Sequence, residues 1–411
     1  MSNTPKETLG KWVPDEFVVA LRHLPAALSA LRELPRPVNA PVIKKSTALD
    51  LALLRIPNVE AVADRLGGRI KTGEHAIDRV IRAIREHSRQ RYGNWTPLMG
   101  KNRMLDGVHT AQHVGTGSAA KYPRRASREH LGDLAADGSA DRPVVGIIDT
   151  PLWAHPDLEG RYRRDETDVH LSPAGWHWHS AGHGTFVAAL VLQNSPNIDV
   201  VVRKGLGADG TAVAWDIAEE MVKLARSVDV LNVSFSCFAD DDEEPLLLAR
   251  AVEMSGPDTV IVAAAGNFAD RRQGDGRLGP LRPNSPMWPA ASSRVVAVGA
   301  HDVDGSRAPF SPHVPWIDLS ARGIDVPSLY LKGTVRFRRH RDDTPAGEES
   351  FDGYASWSGT SFAAAMASGA IARRIRKGRD GVTALKAAER VRQLAPGNGE
   401  QVWGYQFFGG R

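Results

Sequence analysis

Apolar residues fall in two rhythms along this chain of 411 residues. Up to about residue 92, short apolar runs alternate with segments of helical spacing. "EFVVAL" predicts a strand and "LPAALSALREL" a helix. "APVIKK" and "LDLALLRI" predict strands, and "NVEAVADRL" predicts a helix opened by Asn58 and closed by Gly67 and Gly68. The order is β-α-β-β-α, a small α+β module. "GEHAIDRVIRAIREHSRQRYG" follows, with Ile77, Val80, Ile81 and Ile84 at helical spacing, the pattern of a surface helix with one buried stripe. Residues 93–141 are rich in Gly, Arg, Ser and Asp without a period, which predicts a linker or extended segment.

From residue 143 the rhythm changes. "PVVGIID", "IDVVVRK", "VDVLNVSF", "DTVIVAAAG" and "RVVAVGA" are compact β-branched runs. Helical stretches such as "VAWDIAEEMVKLARS" and "PLLLARAVEMS" lie between several of them. Buried runs alternating with helices predict an α/β domain built on a mainly parallel sheet. Ligands of such sheets sit beyond the carboxyl ends of the strands.

Composition changes this picture little. The chain is 42% hydrophobic and 24% charged, ordinary for a globular protein. Its single cysteine, Cys237, excludes an intrachain disulfide. The start "MSNTPKETLGKWVPDE" has no basic n-region and no apolar run, and no apolar stretch reaches the roughly 18 residues of a membrane span. The expectation is a cytoplasmic protein without a membrane partner, with export by another route left open. Residues 1–142 carry 23 Lys+Arg against 15 Asp+Glu, a balance of +8, so the remainder carries −4 of the net +4. A basic front and an acidic back attract each other. The basic residues are scattered and form no nucleic-acid signature, so no nucleic-acid partner is expected.

Three positions offer chemistry. Asp149 ends the run "VVGIID", His183 opens the apolar helix of "AGHGTFVAALVLQ", and Ser361 stands at the mouth of the small-residue helix "TSFAAAMASG". Each has a plain structural explanation as a cap or a satisfied core group. Together they offer a nucleophile, a base and an orienting acid. A helix mouth would also supply unpaired N–H groups and partial positive charge beside Ser361. Two other motifs compete. Gly205–Gly210, "GLGADG", fits G-x-G-x-x-G, with Asp229 near the distance of a ribose contact, so a dinucleotide-binding enzyme is a formal alternative. "HWHSAGH" sets His177, His179 and His183 close together, but without a matching acid or cysteine pattern for zinc.

The chain resembles the subtilase family of serine peptidases. "IIDTPLWAHPDL", "HGTFVAALV" and "GTSFAAAMASG" resemble the family's aspartate, histidine and serine motifs, in the family's order. "LNVSF", "VAAAGN" and "VVAVGAHDVDGSRAPFS" resemble its intervening strands. The resemblance implies a three-layer α/β/α subtilisin-like catalytic domain over residues 143–411. A small α+β N-terminal domain over 1–120 and a linker over 121–142 precede it. It implies Ser361 as nucleophile, His183 as base, Asp149 as the acid orienting it, and Asn267 as side-chain donor to the oxyanion. Departures are Pro151, Phe186, Ala365 and Phe268, where the family more often has glycine, histidine, proline and a small or polar residue. None removes a reacting group.

The same resemblance implies a protein or peptide substrate added as a strand along Ser234, Phe235 and Ser236. Small residues including Ala264 and Gly266 would form a wall beside it. The acidic run Asp240, Asp241, Asp242, Glu243 and Glu244 suggests a subsite for a basic residue before the cut bond, or a solvated loop. Arg124 and Arg125 then form a candidate self-processing site. The front module would act as an intramolecular chaperone or inhibitor. The insertion Lys332 to Gly353 reads as a surface hairpin or loop near Ser361. No cofactor is expected, and the short "LQNSPNID" offers no clear calcium site. The alternative is a catalytically silent binding protein that keeps the fold.

Overall fold

The computed structural model describes residues 12–67, 74–107, 122–132, 134, 141–163, 169–170, 175–239, 243–269, 284–338, 345–377, 381–393 and 405–406. The front module runs β1 (Trp12–Ala20), α1 (Leu24–Glu33), β2 (Val42–Ser46), β3 (Leu51–Arg55), α2 (Val59–Leu66), α3 (Ala76–Arg91) and β4 (Met99–Asp106). Short β5 (Arg124–Arg125) precedes β6 (Val144–Asp149), β7 (Leu152–Trp153), β8 (Tyr162–Arg163), β9 (Val169–His170) and β10 (Trp176–Trp178). Then come α4 (His183–Asn194), β11 (Asp199–Lys204), β12 (Thr211–Val213), α5 (Ala214–Ala225), β13 (Val230–Val233), β14 (Cys237–Phe238), α6 (Leu246–Met254) and β15 (Val260–Ala264). The chain continues through β16 (Met287–Trp288), β17 (Val295–His301), β18 (Leu319–Arg322), β19 (Val326–Arg338), β20 (Pro345–Trp357), α7 (Thr360–Ala372), α8 (Ala384–Gln393) and β21 (Tyr405–Gln406).

The main sheet has the order β21-β18-β17-β15-β13-β6-β11-β8. All its strand pairs are parallel except β18 with β21. The apolar runs lack polar alternation because both faces are covered. On one face Ile147, Val202, Val262 and Val298 pack with α4 and α7. On the other, Ile148, Leu231, Ile261 and Ala263 pack with Trp215 and Met221 of α5 and Leu247 and Leu248 of α6. The result is a three-layer α/β/α domain.

The front module shares that second core. Its sheet has the order β12-β4-β1-β3-β2, so its edge strand β12 comes from the larger domain. In β1, Phe17 and Val19 face the helices of the module, while Val18 and Ala20 face the core beside α5 and α6. Residues 17–20, "FVVA", are uniformly apolar because each side of the strand is buried against a different layer. β4 lies inside the stretch read from sequence as linker. Its Lys101, Asn102 and Arg103 are buried, which hides the strand's period. Lys101 pairs with Asp78 at 3.0 Å and lies over the Trp12 ring at 4.1 Å. The Asn102 amide donates to Glu16 Oε2 at 2.7 Å, and its oxygen accepts the Trp215 N–H at 3.2 Å. The front module thus caps the first turn of α5.

The insertion after residue 331 is the distal part of a longer hairpin, β19 with β20, beginning at Val326. Within Lys332–Gly353, Val335 and Phe351 are buried, and Tyr330 and Trp357 on either side are fully buried as well. Burial pushes the Tyr330 phenol well above its ordinary pKa, and its hydroxyl donates to the His179 carbonyl at 2.7 Å. His155 ties the hairpin to the loop after β6. Its Nδ1 accepts the Asp157 N–H at 3.1 Å and its Nε2 meets the Gly353 carbonyl at 3.1 Å.

Two outcomes follow. Asn102→Ala removes the cap on α5 and leaves Glu16 Oε2 without its amide donor, with only Arg55 still bonded to the carboxylate, so unfolding free energy falls by about 1–3 kcal/mol, read as a lower denaturant midpoint. Burial holds the His155 imidazole below its ordinary value of 6.5. The unfolded chain then takes up that proton first as pH falls. Stability is lost below the unfolded pKa, and the loss is complete below the folded one. A pH series of melting temperatures shows this acid limb in the wild type and a flatter one in His155→Gln.

Candidate active site

Parallel β6 ends in Asp149, and the amino end of α4, which follows β10, packs against it. Gly184 permits the approach: a Cβ there would lie 2.0 Å from the Thr150 carbonyl oxygen. The Gly184 N–H donates to Thr150 Oγ1 at 2.9 Å, and the Thr150 N–H donates to Asp149 Oδ1 at 2.7 Å. His183, one residue earlier, is held with Nδ1 at 2.8 Å and 3.0 Å from the two Asp149 oxygens. Asp149 is fully buried and His183 nearly so. This geometry fixes Nδ1 as the proton-bearing nitrogen and leaves Nε2 the basic one.

Rings enclose the imidazole. Trp357 stands edge-on to His183 at 5.7 Å between centroids, and Phe362 lies tilted at 5.5 Å. Phe186 packs on Phe362 at 4.4 Å. The chain between Trp357 and Phe362 carries Ser361, which α7 presents in its first turn, 5% exposed.

Asn267 follows β15, after Gly266 at φ +103°, a conformation that favours glycine. Its carboxamide oxygen accepts from both the Thr360 N–H and the Thr360 hydroxyl, each at 2.9 Å. The Thr360 hydroxyl in turn accepts the Gly266 N–H at 3.1 Å. Thr360 therefore fixes which way the amide points, with its nitrogen toward Gly359 beside Ser361: a Cβ at Gly359 would meet Nδ2 at 3.5 Å. Sequence reasoning missed Thr360 and Thr150 as positioning groups. The signal available was their place, each adjacent to a candidate reacting residue.

The supposed substrate edge is already paired. The Asp106 N–H donates to the Ser236 carbonyl at 3.0 Å, and the Ser236 N–H returns a bond to Asp106 at 2.9 Å. Gly107 donates to the Gly210 carbonyl at 2.9 Å. Ser234, Phe235 and Ala264 are buried beside this edge. Asp240, Asp241 and Asp242 lie outside the described residues. Glu243 and Glu244 line a cavity with Arg85, Lys101 and Arg250, facing the front module. Burial holds Glu244 above its ordinary pKa. Arg124 and Arg125 are exposed and form the short strand β5, which pairs with Ser356 and Ala355 of β20.

The competing motifs are placed elsewhere. Gly205–Gly210 is a tight turn carrying β12 to the front module's sheet. Asp229 lies at the opposite, amino end of the strands, accepting the Val144 N–H at 2.7 Å and pairing with Lys377 at 3.3 Å. A ribose-binding acid belongs at the carboxyl end. His177 stacks edge-on to Trp153 and His179 to Tyr122, while His183 pairs with Asp149. Among the described residues no cluster of His, Cys, Asp and Glu side chains is placed to hold a metal, and no helix is long and apolar enough to cross a membrane.

Comparison with known proteins agrees with this architecture. The model of the subtilase family matches residues 140–395. The chain is 26% identical over 292 residues to a thermophilic serine proteinase of Bacillus sp. (strain AK1), covering 67% of this chain and 62% of that protein. It is 30% identical over 196 residues to a thermostable alkaline protease of Halalkalibacterium halodurans, covering 45% and 49%. The chain therefore spans less than two thirds of the length of these relatives. The crystal structure of fervidolysin from Fervidobacterium pennivorans superposes with a TM-score of 0.55 at 15% identity, covering 90% of this chain and 57% of that one, a likeness of fold. The matched stretch takes in everything from β6 to α8, and the chain belongs to the subtilase family.

Proposed function

We propose that the protein is a serine endopeptidase working through Asp149, His183 and Ser361. The observation that carries this reading is the bond of 2.8 Å from His183 Nδ1 to the buried Asp149, with Ser361 opening α7 next to the rings packed on that imidazole. In this reading Nε2 takes the Ser361 proton as Oγ attacks the substrate carbonyl, forming a tetrahedral intermediate. The imidazolium then gives that proton to the leaving amine, and the acyl group stays on Oγ. Water enters, loses a proton to Nε2 and attacks the acyl carbon. Collapse releases the acid and returns the proton to Ser361. Asp149 holds the ring and offsets its transient charge. The Asn267 amide and the Ser361 N–H receive the oxyanion, and Thr360 keeps the amide aimed without reorganisation during the reaction.

The front module is proposed as an intramolecular inhibitor. Its Asp106 occupies the Ser236 edge with the two main-chain bonds an extended substrate would use. Its buried share of the α5–α6 core gives it the features of a chaperone as well. Self-cutting after Arg125 would require β5 to leave β20, so this reading places no rapid cut there.

A fluorophosphonate probe tests the chemistry. It should label the wild type and leave Ser361→Ala unlabelled at unchanged circular dichroism. Asn267→Ala should lower the turnover number by about 10²–10³-fold. A folded wild type that resists labelling under conditions that free the front module would favour the silent-scaffold alternative. Asp106→Pro in the full chain removes the N–H that holds Ser236 and should speed labelling several-fold. An unchanged rate would remove the inhibitor proposal.

A further inference from the structure

We infer that the crevice meant for the side chain on the acyl side of the cut bond is filled by this chain's own Phe238, Phe268 and Met287, so that the protein selects a peptide with a small residue, glycine, alanine or serine, at that position. The inference rests on the peptidase reading above.

β13 and β15 are neighbours, with Val233 opposite Ala263. Beyond their carboxyl ends the two chains part. One continues through Ser234 to Phe238, the other through Gly266 to Phe268. A ligand of a parallel sheet lodges in such a crevice. Here β14 folds across it and pairs with β16, setting Phe238 directly opposite Met287. These two and Phe268 form a cluster separate from the three larger cores, with exposures of 4%, 2% and 3%. The cluster reaches the backbone next to the chemistry. A Cβ placed on Gly266 would lie 3.1 Å from Met287 Cγ and 3.4 Å from Phe268 Cδ2.

A substrate carbonyl between Ser361 and the Asn267 amide fixes its own Cα one bond away, about 1.5 Å. With its backbone along Ser234–Ser236, the side chain of that residue is directed between the parted chains. A hydrogen or a methyl group fits above the cluster. An isobutyl, benzyl or guanidinopropyl group has to displace Met287 or Phe268.

The test uses the full chain and small α-aminoalkyl phosphonate diphenyl esters carrying a methyl, isobutyl or guanidinopropyl side chain. Ser361 Oγ forms a bond to phosphorus and phenoxide leaves, read as an intact-mass increase. The methyl probe should react at least tenfold faster than the other two. In Met287→Gly the ratio of isobutyl to methyl reactivity should rise at least tenfold. Phe238→Ala gives a second, independent enlargement if Met287→Gly does not fold. A fluorophosphonate without a side chain separates the two claims. If it labels Ser361 while the three probes react equally, or while neither variant moves the ratio, the filled crevice is overturned and the peptidase reading stands. If it fails to label the folded wild type under conditions that free the front module, both fall.

Discussion

The candidate active site depends on one steric permission: helix α4 begins in contact with the backbone that ends β6. Gly184 supplies it, since any side chain there would collide with the Thr150 carbonyl. The contact is closed by hydrogen bonds from Gly184 N–H to Thr150 and from Thr150 N–H to Asp149. His183 is carried along and meets the Asp149 carboxylate in one geometry. Two buried polar groups are thereby satisfied by each other rather than left as an uncompensated cost. The same arrangement recurs in another form at α7, where Thr360 bonds both Gly266 and Asn267. At each site a threonine next to a candidate reacting residue converts helix placement into side-chain aim.

Much of this was legible from the residues. The uniformly apolar runs became the parallel strands because both faces of that sheet are covered, and Asp149, His183 and Asn267 sit where strands or helices end, as loop chemistry requires. β4 was not legible. Lys101, Asn102 and Arg103 look like linker residues because periodicity counts only apolar positions. Their burial depends on Asp78, Trp12, Glu16 and the first turn of α5, partners distant in sequence. The hairpin of β19 and β20 was only partly legible. Its charged distal half advertised an excursion, while Tyr330 and Trp357 near its base fold inward onto the rings around His183.

Arg124 and Arg125 suggest an exposed cut site from sequence. In the fold both are exposed, and they also extend a sheet edge that no period in the sequence announces; Tyr122 stacks on Phe337 at 4.8 Å just before them. The front of the larger domain is therefore anchored to the hairpin that also covers the imidazole.

Backbone and side-chain selection are divided between two surfaces in the proposed reading. The Ser236 edge offers only main-chain groups, which any extended peptide can use, the front module's Asp106 included. It can hold a chain but cannot choose one. Choice has to come from what meets the side chain next to the cut, and there the cluster of Phe238, Phe268 and Met287 stands in the way. Forcing a Met or Phe side chain from such a cluster forfeits about 1.5–3 kcal/mol of burial. At 1.4 kcal/mol per tenfold, that is roughly 10–10²-fold against a large residue. The terms act on different atoms, so release of the front module and tolerance of the substrate side chain should vary independently. A change at Met287 alters which peptide is accepted without touching the bonds by which Asp106 holds the edge.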